Sequence, residues 1–333
     1  MPVFLFPGQG AQFTGMGMDL YEADVPGVRE LFATASGIIG KDVRELLSAD
    51  AETLKRTDVS QVAITVASLA AVRALKGKGL TPSACAGFSL GEYPALAVSG
   101  VITESDAIRL TVERGRIMQE VADALTAEAI LAAKKASGGA ELDDAALASS
   151  CPGMAAVLGL SPEKVDEAIA SLGGGKSGTL RLYGANYNSP LQTVISGTAD
   201  ALSLAEGAFK AAGARRVIRL KVAGPFHSPL MAKAGDRFSA LLDGVSFADP
   251  KIPLFSNVTG QRVTDGAEAK RCAVLHISNP VLWTTEEAAI AAFIASEGGE
   301  LSLIEVGPGK VLSGLWADSK LGGTAQPYAE FLA

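Results

Sequence analysis

The chain has 333 residues, 48% of them hydrophobic, and a net charge of −7. The length predicts two folding units, because a single core seldom grows beyond about 250 to 300 residues. The acidic balance, the lack of a long basic cluster and an aromatic content of 6% argue against binding of nucleic acid. With three scattered cysteines and two histidines, neither a disulfide framework nor a metal site is expected.

Features of the sequence also predict where the protein resides. No uninterrupted apolar run looks long enough to cross a bilayer, so no membrane association is expected. The first residues, MPVFLFPG, lack the charged region and longer apolar segment of a signal peptide. Asn257 begins an NVT glycosylation acceptor, but nothing predicts a secretory route for it. A cytoplasmic protein is therefore predicted.

The first part of the chain alternates between predicted strands and helices. Residues 3–6 and 84–88 are short apolar runs typical of buried strands, and residues 60–74 form a largely apolar helix. A further helix begins near Thr103, which can cap its first turn. The alternation predicts an α/β class protein with a parallel sheet.

Residues 87–91 read GFSLG and follow the second predicted strand. A GxSxG string between a strand and a helix describes an elbow, where the glycines permit a sharp turn and the serine is exposed. Ser89 is therefore the candidate nucleophile. Because the chain contains 37 glycines, such a string also arises by chance. The rest of the sequence has to show whether Ser89 is a nucleophile.

A nucleophilic serine needs a base, and the two histidines are the candidates. His227 lies in the GPFHSP segment of residues 224–229 and is preferred for the loop that it occupies after a predicted strand. His276, in the HISNP segment, is the rival, because its later position suits the hydrolase order of serine, acid and histidine.

The helix near Thr103 carries an arginine on its apolar stripe, at Arg114. Arg116 instead lies at ion-pairing distance along the helix from Glu113 and Glu120, which predicts a solvated surface charge. A guanidinium directed at a core needs an anionic partner, because an unpaired buried charge is costly. That partner is either a protein group or a substrate carboxylate, which the planar fork binds bidentately.

The middle of the chain predicts a separate small subdomain. Residues 154–222 read as strand, helix, strand, strand, helix, strand, which is the ferredoxin-like order. Residues 122–153 are rich in alanine and broken by residues 138–139, which predicts a helical insertion or a lid. The α/β-hydrolase-like large subdomain then takes residues 1–121 and 223–333.

Six motifs in one order resemble the malonyl-CoA:acyl carrier protein transacylases and the related acyltransferase domains of polyketide synthases. They are FPGQGAQ at 6–12, GFSLGE at 87–92, RG and MQ within 114–119, NYNSP at 186–190, GPFHS at 224–228 and EVGPGK at 305–310. The resemblance covers nearly the whole chain, and a generic esterase would not produce these motifs together.

The resemblance implies an S-malonyltransferase that works without a cofactor or a metal. Ser89 attacks the thioester of malonyl-CoA, and His227 accepts its proton and later returns it. The backbone N–H groups of Gln9 and Leu90 form the oxyanion hole, and Arg114 holds the malonyl carboxylate. The phosphopantetheine thiol of an acyl carrier protein then takes the malonyl group, so that the transfer is ping-pong and serves fatty-acid or polyketide synthesis.

The resemblance also implies secondary roles and two departures. Asn188 lies near the pantetheine, and the bulk of Phe226 beside His227 leaves little room for an α-methyl group. Phe88 stands where a histidine commonly precedes the serine, and His276 stands where glutamine is usual. Backbone carbonyls orient the imidazole near position 276 in the family, so His227 is expected to keep its tautomer.

Two other classes of function stay open. A serine esterase or thioesterase needs Ser89 and a base but has no use for a buried Arg114. A catalytically silent carrier-binding module needs none of these residues. Activity toward the malonyl group separates the three classes.

The implied partners are malonyl-CoA and an acyl carrier protein, and the free-standing members of the family lead us to expect a monomer. An acidic carrier protein docks on basic residues, although such strand residues often serve only as a solvated face. The candidates are Arg215, Arg216, Arg219 and Lys221.

Overall fold

The computed structural model describes residues 2–138, 141–300 and 302–332. The chain forms two compact units. The first unit comprises Met1–Arg116, Phe238–Val274 and Leu282–Ala333, and the second comprises Ile117–Arg237 and Leu275–Val281.

Strands and helices alternate through much of the described chain. The strands are β1 Val3–Phe6, β2 Ala84–Gly87, β3 Gly153–Leu158, β4 Leu182–Ser189, β5 Gln192–Gly197, β6 Arg216–Arg219, β7 Phe255–Ser256, β8 Gln261–Arg262, β9 Ser302–Glu305 and β10 Thr324–Pro327. The α-helices are α1 Met18–Glu22, α2 Val28–Ile39, α3 Val43–Leu47, α4 Ala51–Lys55, α5 Thr57–Gly77, α6 Glu92–Val98, α7 Glu104–Ala136, α8 Asp144–Ser149, α9 Pro162–Ser171, α10 Ala199–Ala211, α11 Ala232–Leu242, α12 Gly266–Leu275, α13 Trp283–Ser296 and α14 Val311–Ser319.

The first unit is built on a parallel sheet with the strand order β10-β9-β1-β2. β1 and β2 are buried along their whole length, as expected of parallel strands that are covered on both faces. Phe6 pairs with Gly87 at the ends of these strands. The predicted α/β class with a parallel sheet is confirmed, and the end of β2 leads directly into the predicted elbow.

Helix α5 is the apolar helix that the sequence predicts over residues 60–74, and it extends to both sides. It is long and apolar enough to pass as a membrane span by length and composition, but 83% of the relevant window is buried. Such burial is typical of a helix in a protein core. The polar residues Ser60, Gln61 and Thr65 of α5 are buried as well. The face of α5 around Gln61 therefore places polar side chains inside the core.

The second unit contains an antiparallel sheet with the order β4-β5-β3-β6. Helices α9 and α10 pack on it, with Val165, Ile169 and Phe209 in a shared apolar core. Ser161 caps α9 through the Lys164 N–H. The predicted strand over residues 216–222 is shorter in the structure, because β6 ends at Arg219.

Helix α7 begins as predicted, since the Thr103 hydroxyl accepts a hydrogen bond from the Asp106 N–H at 3.0 Å. It then runs without interruption to Ala136, so the alanine-rich stretch of the predicted insertion continues this helix. Alanine has the highest helix propensity of any residue, which favours the extension. Gly138 adopts a φ of 63°, and Gly139, the second residue of the predicted break, lies outside the described residues.

Candidate active site

The elbow in the first unit holds Ser89 in a left-handed conformation. Its φ is 51°, which is uncommon for a residue with a side chain and costs about 1 to 3 kcal/mol. A Cβ on Gly87 would lie 2.1 Å from the Gly91 carbonyl, and a Cβ on Gly91 would lie 2.0 Å from the Phe6 carbonyl oxygen. Both glycines of the GxSxG string are therefore required by the close approach of the backbone.

The side chain of Asn257 connects the two sides of this elbow. Its Oδ1 accepts a hydrogen bond from the Ser89 N–H at 2.5 Å, and its Nδ2 donates to the Gly87 carbonyl at 2.7 Å. Nδ2 also donates to Glu286 Oε2 at 2.6 Å. Asn257 is fully buried, so these bonds are shielded from water and fix the turn around Ser89.

Three buried carboxyl groups belong to α6 and α13, the helices that contact Asn257 and Phe88. Glu92 accepts hydrogen bonds from the Ser256 hydroxyl at 2.9 Å and the Asn257 N–H at 3.2 Å, and burial raises its pKa to about 7. Burial and the neighbouring Glu92 raise the pKa of Glu286 well above its ordinary value. Glu287 accepts from the Trp283 indole at 2.8 Å, and burial raises its pKa to about 8.

Arg114 is buried in the first unit, with 1% of its surface exposed, as the apolar stripe predicts. Its Nη1 donates to Gln61 Oε1 at 2.7 Å. Within the described residues, the buried Nε and Nη2 of Arg114 have no hydrogen-bond acceptor. Guanidinium groups stay charged in proteins, so this side chain carries a buried positive charge whose N–H groups are satisfied only in part.

The surroundings of Arg114 stabilise its charge only in part. Burial lowers the pKa of Arg114, while Tyr93 and Glu92 act in the opposite direction. The guanidinium carbon lies 5.5 Å from the centre of the Tyr93 ring, a distance at which a cation and an aromatic face attract each other. Arg116, which the sequence predicts to be a surface charge, is half-exposed and forms an ion pair with Glu113 at 2.6 Å.

The residues predicted for the oxyanion hole also belong to the first unit. Leu90 directly follows Ser89 and is buried, at the turn that starts α6. Gln9 follows β1, is half-buried, and its side chain donates to the Thr57 hydroxyl at 3.4 Å. Phe88, the departure from the usual histidine, packs edge-to-face on Trp283 with the ring centres 5.4 Å apart.

His227 lies in the second unit and, like Ser89, has a positive φ, of 55°. Its Nδ1 is 2.9 Å from the His276 carbonyl oxygen and 3.3 Å from the Asn279 carbonyl oxygen. Because carbonyl oxygens only accept hydrogen bonds, Nδ1 carries the proton of the neutral ring and Nε2 is the nitrogen that can take up another. The backbone carbonyl expected at position 276 is thus in place.

The segment around His227 is fixed by buried hydroxyl groups. Ser196 donates to the Phe226 carbonyl and Ser228 donates to the Pro225 carbonyl, both at 2.6 Å. Phe226 itself is 5% exposed. Side-chain hydroxyls of this kind satisfy carbonyl groups that a tight non-helical turn leaves without partners, which stabilises the strained position of His227.

His227 also lines a cavity of about 210 Å³ in the second unit. Tyr187, on its wall, donates to Asp166 at 2.7 Å, and Lys176 donates to the Asn279 side chain at 3.3 Å. Pro229, Ser278 and Pro280 also line this cavity. The cavity leaves space for a ligand beside His227.

Two further predicted residues lie in the second unit. The side chain of His276 is fully buried, with its ring centre 5.4 Å from that of His227. Asn188, on β4, is 8% exposed, and its buried Oδ1 has no hydrogen-bond donor among residues 2–138, 141–300 and 302–332.

Four residues near these groups have no counterpart in the sequence predictions of the site. They are Gln61, Glu92, Asn257 and Glu286. Gln61 had a sequence signal, a polar side chain within a largely apolar segment, and Asn257 had an Asn-Val-Thr string that resembles a glycosylation acceptor. The described part of the chain contains no group of three or more His, Cys, Asp or Glu side chains suited to a metal ion.

Comparisons with known proteins agree with the motifs. Residues 3–176 match the family model of the acyl transferase domain. The malonyl CoA-acyl carrier protein transacylase of Bacillus subtilis (strain 168) is 38% identical over 313 residues, which are 94% of this chain and 88% of the relative.

Solved structures extend the likeness to the fold. The malonyl-CoA:acyl carrier protein transacylase of Xanthomonas oryzae pv. oryzae has a TM-score of 0.82 at 34% identity, over 99% of this chain and 96% of that one. A malonyl-transacylase in complex with its type II PKS acyl-carrier protein has a TM-score of 0.79 at 34% identity, over 98% and 94% of the two chains.

Proposed function

The chain belongs to the malonyl CoA-acyl carrier protein transacylase family, and from this we propose that it is a malonyl-CoA:acyl carrier protein S-malonyltransferase. It moves a malonyl group from malonyl-CoA to the phosphopantetheine thiol of an acyl carrier protein. A relative of similar fold has been solved with such a carrier protein, which supports this choice of acceptor.

The observation that carries the proposal is the buried, half-satisfied guanidinium of Arg114. Nη1 donates to the neutral amide of Gln61, and Nε and Nη2 have no hydrogen-bond acceptor among the described residues. A carboxylate fits such a pair of parallel N–H groups bidentately. Malonyl-CoA carries a carboxylate at the end of its acyl group, whereas a neutral ester does not, and this disfavours the esterase alternative.

In the first half-reaction, the Ser89 hydroxyl gives its proton to Nε2 of His227 as its oxygen attacks the thioester carbonyl. The carbon–sulfur bond then breaks, and the departing CoA sulfur takes the proton from the imidazolium. The His276 carbonyl supports this role, because it holds the proton of the neutral ring on Nδ1. The product is a malonyl ester of Ser89.

In the second half-reaction, the phosphopantetheine thiol gives its proton to Nε2 of His227 and attacks the malonyl ester. The ester bond breaks, and the Ser89 oxygen recovers the proton. Both half-reactions pass through a negatively charged oxygen, which we propose the backbone N–H groups of Gln9 and Leu90 stabilise. One such donor contributes about 3 to 4 kcal/mol in measured cases.

The remaining predicted residues are proposed to shape the pocket. Phe226 excludes an α-methyl group by its bulk, which limits but does not abolish the use of methylmalonyl-CoA, because one methyl group changes binding by about 1 to 3 kcal/mol. Asn188 offers its buried Oδ1 to an N–H group of the pantetheine arm. His276 contributes through its backbone carbonyl.

The finer fold description is also part of the proposal. We infer an α/β-hydrolase-like core, supported by the strand-elbow-helix arrangement at Ser89, and a ferredoxin-like small subdomain, supported by the order β-α-β-β-α-β with the sheet order β4-β5-β3-β6. The division into residues 1–121 with 223–333, 122–153 and 154–222 stays a prediction. So do the cytoplasmic location and the monomeric state.

The carrier protein is proposed to dock near β6. Four basic side chains follow one another along this exposed edge of the sheet, and they stand out against a net charge of −7. They are Arg215, Arg216, Arg219 and Lys221. Reversing two of these charges should raise the KM for the carrier protein and leave serine loading by malonyl-CoA unchanged.

The function is tested by following malonyl transfer to a holo acyl carrier protein while both substrates are varied. Ping-pong transfer predicts parallel double-reciprocal lines and release of CoA before the carrier protein is added. An enzyme that only hydrolyses the thioester, or that accepts neutral esters faster than malonyl-CoA, would contradict the proposal and favour the esterase.

A further inference from the structure

The side chain of Asn257 forms hydrogen bonds to the elbow and to the neighbouring carboxyl group of Glu286. It contacts Ser89 and Gly87, which lie on opposite sides of the turn, although it is separated from them by about half the chain. The GxSxG string itself contains no side chain that could perform this task.

The orientation of the Asn257 amide is determined by its partners. Nδ2 faces the Gly87 carbonyl and Glu286 Oε2, and a carbonyl oxygen can only accept a hydrogen bond. Oδ1 faces the Ser89 N–H, which can only donate. Turning the amide over would oppose acceptor to acceptor and donor to donor, so only one orientation is compatible with the site.

We propose that Asn257 is a positioning residue for the nucleophile, which ties the Ser89 N–H to the Gly87 carbonyl and so holds Ser89 in its left-handed conformation. Asn257 does not touch the reacting atoms. Asn257 affects the rate of serine loading because it keeps the Ser89 hydroxyl in the orientation that attacks the thioester. The proposal rests on the proposed function, because serine loading is the reaction that it affects.

Several charged or titratable groups face this amide or its partners. Glu92 lies on α6, and Glu286 and Glu287 lie on α13. Arg114 on α7 and Cys272 on α12 interact electrostatically with Glu92. Any test that uses pH must therefore compare a variant with the wild type under the same conditions, so that the titration of these shared groups cancels.

The variant Asn257→Asp offers such a test, because it has nearly the same shape. One carboxyl oxygen keeps the role of Oδ1 and still accepts from the Ser89 N–H. The other oxygen faces the Gly87 carbonyl and Glu286, where only the protonated carboxyl has a proton to donate. When this carboxyl ionises at high pH, it has no proton to donate to the Gly87 carbonyl, and the connection between Gly87 and Ser89 is lost.

The experiment measures the rate of Ser89 loading by malonyl-CoA, for Asn257→Asp and for the wild type, between pH 6 and 8.5. We expect the ratio of variant to wild-type rate to fall by about tenfold or more as pH rises, because the buried Gly87 carbonyl loses the donor that Asn257 supplies. The affinity for malonyl-CoA should change little. As a matched control, Asn186→Asp introduces a carboxyl at another buried asparagine (6% exposed) and should give a ratio that does not depend on pH.

A ratio that stays constant with pH would overturn the proposal. If Asn257→Asp does not fold, Asn257→Ala repeats the test through a loss of loading rate at unchanged malonyl-CoA affinity. Failure of both variants to fold, while Asn186→Asp folds, would also overturn it, because Asn257 would then be structural. A wild type that is not loaded at all would instead refute the proposed function.

Discussion

Ser89 and His227 share a strained backbone conformation, with φ values of 51° and 55°, but the two units hold them by different means. The first unit surrounds Ser89 with buried side chains, namely Asn257 and its carboxyl neighbours. The second unit holds the ring of His227 with backbone carbonyl groups. A position held by side chains is sensitive to the identity of those residues, whereas one held by carbonyls tolerates their substitution.

The largest effect is expected at the buried charge of the first unit. Arg114→Ala should slow serine loading by malonyl-CoA about 10² to 10³-fold, because removing one partner of a buried charge pair costs about 2 to 5 kcal/mol. Loading by acetyl-CoA, which lacks the carboxylate, should not slow. Rates of CoA release with each thioester measure both effects.

Arg116→Ala is the control for this prediction, since Arg116 is half-exposed and pairs with Glu113 on the surface. Its rates should match those of the wild type. Equal losses with malonyl-CoA and acetyl-CoA in Arg114→Ala would mean that Arg114 stabilises the fold and does not select the carboxylate.

The next effect concerns the close backbone approach at the elbow. Gly91→Ala would place a methyl group 2.0 Å from the Phe6 carbonyl oxygen and 2.9 Å from that of Pro7. Overpacking against backbone destabilises by about 1 to 3 kcal/mol or more, so we expect a clear loss in urea unfolding.

Gly207→Ala, on the exposed side of α10, has nothing within 4 Å of the new methyl group and should stabilise the protein by up to about 1 kcal/mol. If Gly91→Ala does not destabilise the protein relative to the wild type, the elbow is less constrained than the backbone distances indicate.

A smaller effect follows from the buried carboxyl groups, because the pKa values of Glu92 and Glu287 in the folded state are about 7 and about 8. Between the unfolded value of 4.5 and these values, the folded protein binds more protons than the unfolded chain. The free energy of unfolding should therefore fall as pH rises from 5 to 6, by on the order of 2 kcal/mol.

Urea unfolding at the two pH values measures this loss, and Glu287→Gln should reduce it because the amide does not titrate. An increase in stability over this pH range that Glu287→Gln leaves unchanged would contradict the assignment of the protons to these carboxyls.

The smallest effect is expected in the second unit. His276→Gln should change the transfer rate by less than about threefold, because the carbonyl that orients His227 belongs to the backbone and remains an acceptor. Transfer kinetics with malonyl-CoA and a carrier protein measure it, with His227→Gln as the inactive reference. A large loss in His276→Gln would show that the buried imidazole at 276 acts directly.

The elements around the site were predictable where the signal is local. The strand over residues 3–6, the elbow at Ser89 and the inward face of Arg114 follow from apolar runs, glycines and helical spacing within a few residues. Helix α7 was predicted only in part, because the alanine-rich stretch after residue 122 reads as an insertion although it continues the same helix.

The groups that fix the site were not predictable, because their partners are distant in sequence. Gln61 meets Arg114 across 53 positions and Asn257 meets Ser89 across 168. An NVT string gives no indication that its asparagine is buried under a serine elbow. Only the packing of helices and strands brings such residues together, and packing is a property of the whole fold.

The most direct test of the account is the intact mass of the protein after brief exposure to malonyl-CoA, for the wild type and for Ser89→Ala. A malonyl-serine intermediate predicts one malonyl adduct on the wild type, located at Ser89 by peptide mapping, and none on Ser89→Ala. An adduct that persists in Ser89→Ala, or a wild type that transfers malonyl groups without ever carrying one, would contradict it.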